Sequence, residues 1–245
     1  MNEDRKIHVH GVCFDNVTMG EALDEACALI MERRSAYVVT PNPEIVMMCR
    51  KDPEAAEAVK DAALTLPDGI GVIYASRILK TPLKEKVGGC DFSLLLMERL
   101  AQGAGSVFLL GAKPGVAEAA RDRLSARFPG LRVVGTHDGY FTDDAPILAE
   151  INAQKPDLLL VCLGAPKQEK WMRRNASALN TGLMIGAGGS LDVYAGTVKR
   201  APKLMCDLGL EWLYRLYREP RRLGRMMVLP KFLLEVIFKP EKREK

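Results

Sequence analysis

Apolar runs of β type alternate with helical patterns of roughly ten to fifteen residues along most of this 245-residue chain, and few folds accept that alternation. Residues 7–14 form an early β-type stretch. Thr18 and Glu21 follow as a capping-box pattern, in which hydroxyl and carboxylate satisfy free N–H groups at a helix start; the helix is expected to run to about Arg33. Residues 37–40 read as a strand cut off by Pro41, Asn42 and Pro43. Asp52 before Pro53 is an N-cap with an N1 proline, opening a helix that ends near Ala63. Residues 64–66 make a brief strand that runs into Pro67, Asp68, Gly69, Ile70 and Gly71. Strand 107–111 leads through Lys113, Pro114 and Gly115 into helix 116–127. After Pro129 and Gly130 come strand 131–134 and helix 144–153. The most apolar strand, 157–163, ends at Gly164 before a helix from about Pro166. Residues 184–186, then Gly188, Gly189 and Ser190, close the body. The alternation predicts an α/β fold, a mostly parallel Rossmann-like sheet with helices on both faces, over residues 1–198.

In such sheets ligands bind outside the carboxyl ends of the strands. Polar and glycine residues fall at five expected ends: Thr40 and Asn42, Asp68 and Gly69, Gly111 and Lys113, Gly164 with Lys167 and Gln168, and residues 186–190. Asp68 is the sharpest of these. Between Pro67 and Gly69, its carboxylate can project into the crevice and serve as a general base, or it can cap the following helix. Other chemistries lack their signatures. There is no G-x-G-x-x-G, no G-x-x-x-x-G-K-[ST] and no G-x-S-x-G. His8 and His10 alternate on the first stretch and His137 sits in an expected loop, a poor metal set. Asp143 and Asp144 read as a helix start rather than an Asp-x-Asp metal signature. The six cysteines are scattered without C-x-x-C and read as small core residues.

With 48% apolar and 27% charged residues, disordered, collagenous and disulfide-scaffold classes drop out. The charge is uneven. Residues 199–245 hold 13 Lys+Arg against 6 Asp+Glu, whereas the preceding 198 residues hold 22 against 25. A basic appendage on an acidic body suggests an anionic partner surface. Leu210, Trp212, Leu213, Leu216 and Tyr217 fall at helical spacing, and residues 232–238 are apolar except for Glu235. That run is too short to span a bilayer. It suits a helix lying in the headgroup layer, or a helix packed on the body as ordinary core. The charged first residues do not read as a signal peptide, so a cytoplasmic protein is expected, peripherally associated with the inner face of the membrane. Trp212, Tyr214 and Tyr217 sit among aliphatic residues rather than on a stacking platform, which disfavours nucleic acid.

Together the segments TPNPE (40–44), LPDGIGV (66–72), FLLGAKPGVAE (108–118), GTHDGYF (135–141), LGAPKQEKW (163–171), GGS (188–190), VKRAP (198–202), GLEWLYRL (209–216) and EPRR (219–222) resemble the WecG/TagA/CpsF glycosyltransferases, glycosyltransferase family 26. The resemblance covers about residues 8–230. It implies transfer of N-acetylmannosamine from its UDP conjugate to the 4-hydroxyl of GlcNAc in undecaprenyl-diphosphate-GlcNAc, with inversion and without a metal or other cofactor, in teichoic acid or related surface-glycan synthesis. It further implies that Asp68 is the base and that Thr40, Asn42 and Gln168 line the sugar pocket. One position departs from the pattern: the family often has Arg where this chain has Lys86, which keeps the charge but loses the forked donor.

An inverting displacement needs a proton acceptor on the attacking side and positive potential for the leaving diphosphate. Backbone N–H groups at Gly111–Gly115 and Gly164–Gln168, with Lys113 and Lys167, are candidates for the second role. So are the tail arginines Arg215, Arg218, Arg221, Arg222 and Arg225. A non-catalytic nucleotide-sugar sensor or scaffold would use the same crevice and remains the alternative. Apolar sheet edges in such folds often pair, which admits a homo-oligomer.

Overall fold

Six of the apolar runs line up as one parallel sheet in the computed structural model, which describes residues 6–207, 209–218, 224 and 227–238. The strands are β3 (Ala36–Val39), β4 (Leu64–Thr65), β5 (Ser106–Gly111), β6 (Arg132–His137), β7 (Leu158–Cys162) and β8 (Leu183–Gly186), in spatial order β4-β3-β8-β7-β5-β6. All five pairings are parallel. Every residue of β5, β7 and β8 is buried, as expected for strands covered on both faces. One core layer joins the sheet to α1 (Met19–Glu32), α5 (Gly89–Gln102), α6 (Val116–Arg127) and α9 (Ser190–Tyr194). The other joins it to α2 (Pro43–Cys49), α3 (Pro53–Lys60), α4 (Ile70–Ile78), α7 (Ala145–Gln154) and α8 (Lys167–Asn175). The chain leaves β5 toward β6 at one edge and leaves β7 toward β8 in the opposite direction. The ends of β5 and β7 therefore flank a topological switch point.

Local signals explain several boundaries. The capping box at α1 is complete: the Glu21 N–H donates to Thr18 Oγ1 at 3.2 Å and the Thr18 N–H donates to Glu21 Oε2 at 2.7 Å. Asp52 Oδ1 accepts the Ala55 N–H at 3.1 Å to open α3. Pro41-Asn42-Pro43 does more than end a strand. Asn42 Oδ1 accepts the Ile45 N–H at 3.0 Å and Pro43 occupies the first turn, so a seven-residue helix, α2, begins there.

Two expectations are corrected. Residues 7–14 are not one strand but an antiparallel hairpin, β1 (Lys6–Val9) and β2 (Val12–Asp15), turned at His10 and Gly11, whose φ angles are 51° and 89°. His8 and His10 therefore do not alternate on a common strand. His137 lies not in a loop but at the end of β6. Of the cysteines, all free, only Cys162 is fully buried, while Cys27, Cys49 and Cys90 pack partly exposed against the core.

The C-terminal segment contributes α10 (Lys203–Asp207), α11 (Glu211–Arg218) and α12 (Val228–Phe238). The expected α11 stripe is not a single buried face, because Leu213 and Tyr217 are exposed. In α12 the helical period divides the apolar run. Phe232 and Val236, 0% and 2% exposed, join the core against α2 and α4, while Leu234, Ile237 and Phe238 face outward. The core alternative thus holds for one flank of α12. Among the described residues no helix is long and apolar enough to cross a membrane. Phe232→Ala should lower unfolding free energy by about 3–5 kcal/mol in denaturant titrations, the cost of emptying a filled aromatic site. An unchanged midpoint would mean that α12 is not part of the core.

Candidate active site

Because the six strands run parallel, their carboxyl ends share one rim. Thr40 follows β3, Asp68 lies just past β4, Gly186 ends β8, Gly164 follows β7 and Gly111 ends β5. At the β3 and β4 end of this rim lies an open cleft of about 160 Å³. Asn42, Asp68 and Lys86 line it together with Glu44, Glu211 and Trp212.

Asp68 does not cap the helix that follows it. That position is held by Gly69, at φ 83°, with no side-chain cap. Instead the Gly89 N–H at the start of α5 donates to Asp68 Oδ2 at 3.3 Å, and the Asp68 N–H donates to the Pro41 carbonyl at 3.2 Å. Gly89 permits this approach, whereas Gly88 beside it stands at ordinary contact distance. A Cβ on Gly88 would sit 3.4 Å from Asp68 Oδ1, and one on Gly89 would sit 2.7 Å from Thr40 Oγ1. The start of α5 is thus pressed between the ends of β3 and β4. Lys86 Nζ, in the loop before α5, is 3.3 Å from Glu211 Oε2 of α11, so the C-terminal segment supplies part of the cleft wall. Sequence reasoning missed Glu211, since no local pattern links positions 125 residues apart.

Thr40 and Gln168 do not line this cleft; they lie at other strand ends of the same rim. Thr40, buried, donates through Oγ1 to the Gly186 carbonyl at 3.3 Å. Gln168, also buried, accepts the Gly188 N–H at 3.0 Å and donates through Nε2 to Glu169 Oε1 at 2.9 Å. Glu169 is a second residue the sequence reading passed over. It is 1% exposed, its Oε2 has no hydrogen-bond partner among the described residues, and burial pushes its carboxyl above the usual range.

The remaining rim residues stand apart from the cleft, at the β5 and β7 ends. Gly111, at φ 128°, lies against the Cys162 backbone, where a side chain has no room. Gly164 and Gly188 also have positive φ, but a Cβ on either would meet nothing within 4 Å, leaving the backbone open. Lys113 is exposed. Lys167 Nζ donates to the Gly139 carbonyl at 3.2 Å and stacks 4.8 Å above the Phe141 ring. Neither α6 nor α8 has a side-chain cap at its N-terminus, so their first N–H groups carry positive potential at the switch point. Of the tail arginines, Arg218 is exposed at the end of α11, and Arg215 is described by its backbone alone. Arg221, Arg222 and Arg225 lie outside the described residues. Among the described residues no group of three His, Cys, Asp or Glu side chains is arranged to hold a metal ion.

The model of the Glycosyl transferase WecG/TagA/CpsF family matches residues 7–245. The chain belongs to this family. Three curated relatives carry the name N-acetylglucosaminyldiphosphoundecaprenol N-acetyl-beta-D-mannosaminyltransferase. That of Bacillus spizizenii is 35% identical over 84% of this chain and 80% of its own length. That of Bacillus subtilis is 34% identical over 97% and 93%, and that of Staphylococcus aureus strain MW2 is 33% identical over 94% and 92%. The WecG/TagA/CpsF match extends through the C-terminal helices, so the segment that closes the cleft is family sequence.

The Glu169 carboxyl gives a pH prediction. With its pKa raised in the fold, the native state retains a proton that the unfolded chain releases near the ordinary value of 4.5. Its stabilising contribution is complete below that value and is lost as pH rises through the raised one. Glu169→Gln should therefore match the wild-type melting temperature at pH 4 and exceed it at pH 8. A variant less stable at pH 8 would show that the ionised carboxylate is satisfied in the fold.

Proposed function

We propose that this protein is an inverting N-acetylmannosaminyltransferase. It moves N-acetylmannosamine from UDP-N-acetylmannosamine to the 4-hydroxyl of GlcNAc in undecaprenyl-diphosphate-GlcNAc, in teichoic acid or related surface-glycan synthesis. The observation that carries the reading is the meeting of Asp68, Asn42 and Lys86 in one cleft, in a chain whose relatives bear that activity in their names.

In the proposed step the acceptor oxygen attacks the anomeric carbon opposite UDP. The bond to the diphosphate oxygen breaks and its electron pair leaves with UDP, while Asp68 accepts the hydroxyl proton. Thr40, Asn42 and Gln168 orient the sugar. Lys86 and the uncapped starts of α6 and α8, beside Gly111, Lys113, Gly164 and Lys167, offset the charge on the departing diphosphate, with the tail arginines Arg215, Arg218, Arg221, Arg222 and Arg225 adding forked donors. No divalent cation takes part, so turnover should survive EDTA. Incubation with a panel of UDP-sugars and a soluble lipid-diphosphate-GlcNAc analogue, with products identified by mass, tests the assignment. A product with a different donor sugar would reassign specificity, and donor binding without UDP release would favour a sensor.

Asp68→Asn should cut turnover by about 10²–10⁴-fold with donor affinity little changed, the loss typical of a positioned base. Near-wild-type turnover would return Asp68 to a structural role. The outward flank of α12 is proposed to seat on the membrane that holds the acceptor. Leu234→Glu with Phe238→Glu, both at exposed positions, should then slow transfer to acceptor in anionic vesicles at least several-fold while sparing the soluble analogue. Equal losses on both acceptors would remove the membrane role.

A further inference from the structure

The start of α5 serves two carboxylates. Gly89, its first residue, donates to Asp68 Oδ2, and Asp91 occupies the third position of the same turn. Both acids flank one glycine, because a Cβ on Gly88 would lie 3.4 Å from Asp68 Oδ1 and 4.0 Å from Asp91 Oδ2. Two anions at a single helix N-terminus compete for the same N–H groups and repel each other. What separates them is Arg200, in the segment between α9 and α10, whose guanidinium donates to Asp91 Oδ2. The same turn is braced from α9, where the Tyr194 hydroxyl donates to the Cys90 carbonyl at 2.6 Å.

We propose that Arg200 is a positioning residue for the proton acceptor: by pairing with Asp91 it draws the second carboxylate aside and leaves the α5 N-terminus to Asp68. This rests on the reading of Asp68 as the base. Among the described residues, the other charged groups that line the cleft with Asp68 are Glu44 from α2, Lys86 from the loop before α5 and Glu211 from α11. Lys86 and Glu211 are matched to each other, so the Asp91–Arg200 pair is the neighbouring charge balance that one substitution can upset cleanly.

Arg200→Met leaves Asp91 ionised and unpaired beside Asp68, which disfavours the ionised base. The acid limb of the kcat/KM profile should move up by about 0.5–1 pH unit, the size expected for a partly solvated carboxylate a few ångströms farther than contact. Turnover should fall about 3–10-fold on that limb and recover at alkaline pH. Adding Asp91→Asn to this background should return the limb to its wild-type position, and Arg200→Lys should hold it there. A purely structural Arg200 would lower the melting temperature or raise donor KM without moving the limb and without rescue by Asp91→Asn. An unshifted limb in folded Arg200→Met, or a shifted limb that Asp91→Asn does not restore, overturns the proposal. Failure of the underlying reading looks different: Asp68→Asn would itself keep both turnover and the acid limb.

Discussion

The contact between the start of α5 and the ends of β3 and β4 sets the geometry of everything at this end of the rim. A helix can come that close to the end of β3 only where it presents backbone alone, and Gly89 supplies it. With no side chain in the way at Gly89, one N–H reaches the Asp68 carboxylate, Thr40 packs against the same turn, and Asn42 and Lys86 line the same cleft. The polar character of the rim follows from a shortage of side-chain caps. The helices α4, α5 and α6 start from glycine and α8 from proline, so their leading N–H groups are free to meet an anionic group.

The sheet divides the labour along that rim. The β3 and β4 end carries the acid, the amide and the lysine within one cleft. The β5 and β7 end carries open glycine backbone and helix starts at the switch point, where the diverging crossovers leave room. The apolar strands between them, buried on both faces, hold the two stations at fixed separation.

Much of this was legible where the signal is local. Thr18 with Glu21, Asp52 with Pro53, and the strand-to-helix passage at 107–127 announce their elements within a few residues, and the structure has them there. What failed was of three kinds. The hairpin at His10 and Gly11 puts a histidine at positive φ, without the Asn-Gly or Asp-Gly pair that marks such turns. The helices α4 and α5 begin at glycines, which give no capping pattern to read, and α2 is hidden inside a proline pair that reads as a strand stop. The site divides in the same way. Asp68 and Asn42 stand out because strand ends are where a parallel sheet binds ligands. The Lys86–Glu211 and Asp91–Arg200 pairs join distant segments, and the burial of Glu169 depends on which way α8 is turned.

The last described helix belongs to two environments at once. Its first turn brings Val228 and Leu229 to the mouth of the cleft, where Leu229 presses so closely on Gly71 that a side chain at that glycine would collide with it. Its far end leaves Ile237 and Phe238 uncovered. Eleven residues of α-helix are a stiff rod of roughly 16 Å, anchored near its middle by Phe232. With Phe232 and Val236 both in the core, the turn that lines the cleft and the uncovered tip are two ends of one rigid piece.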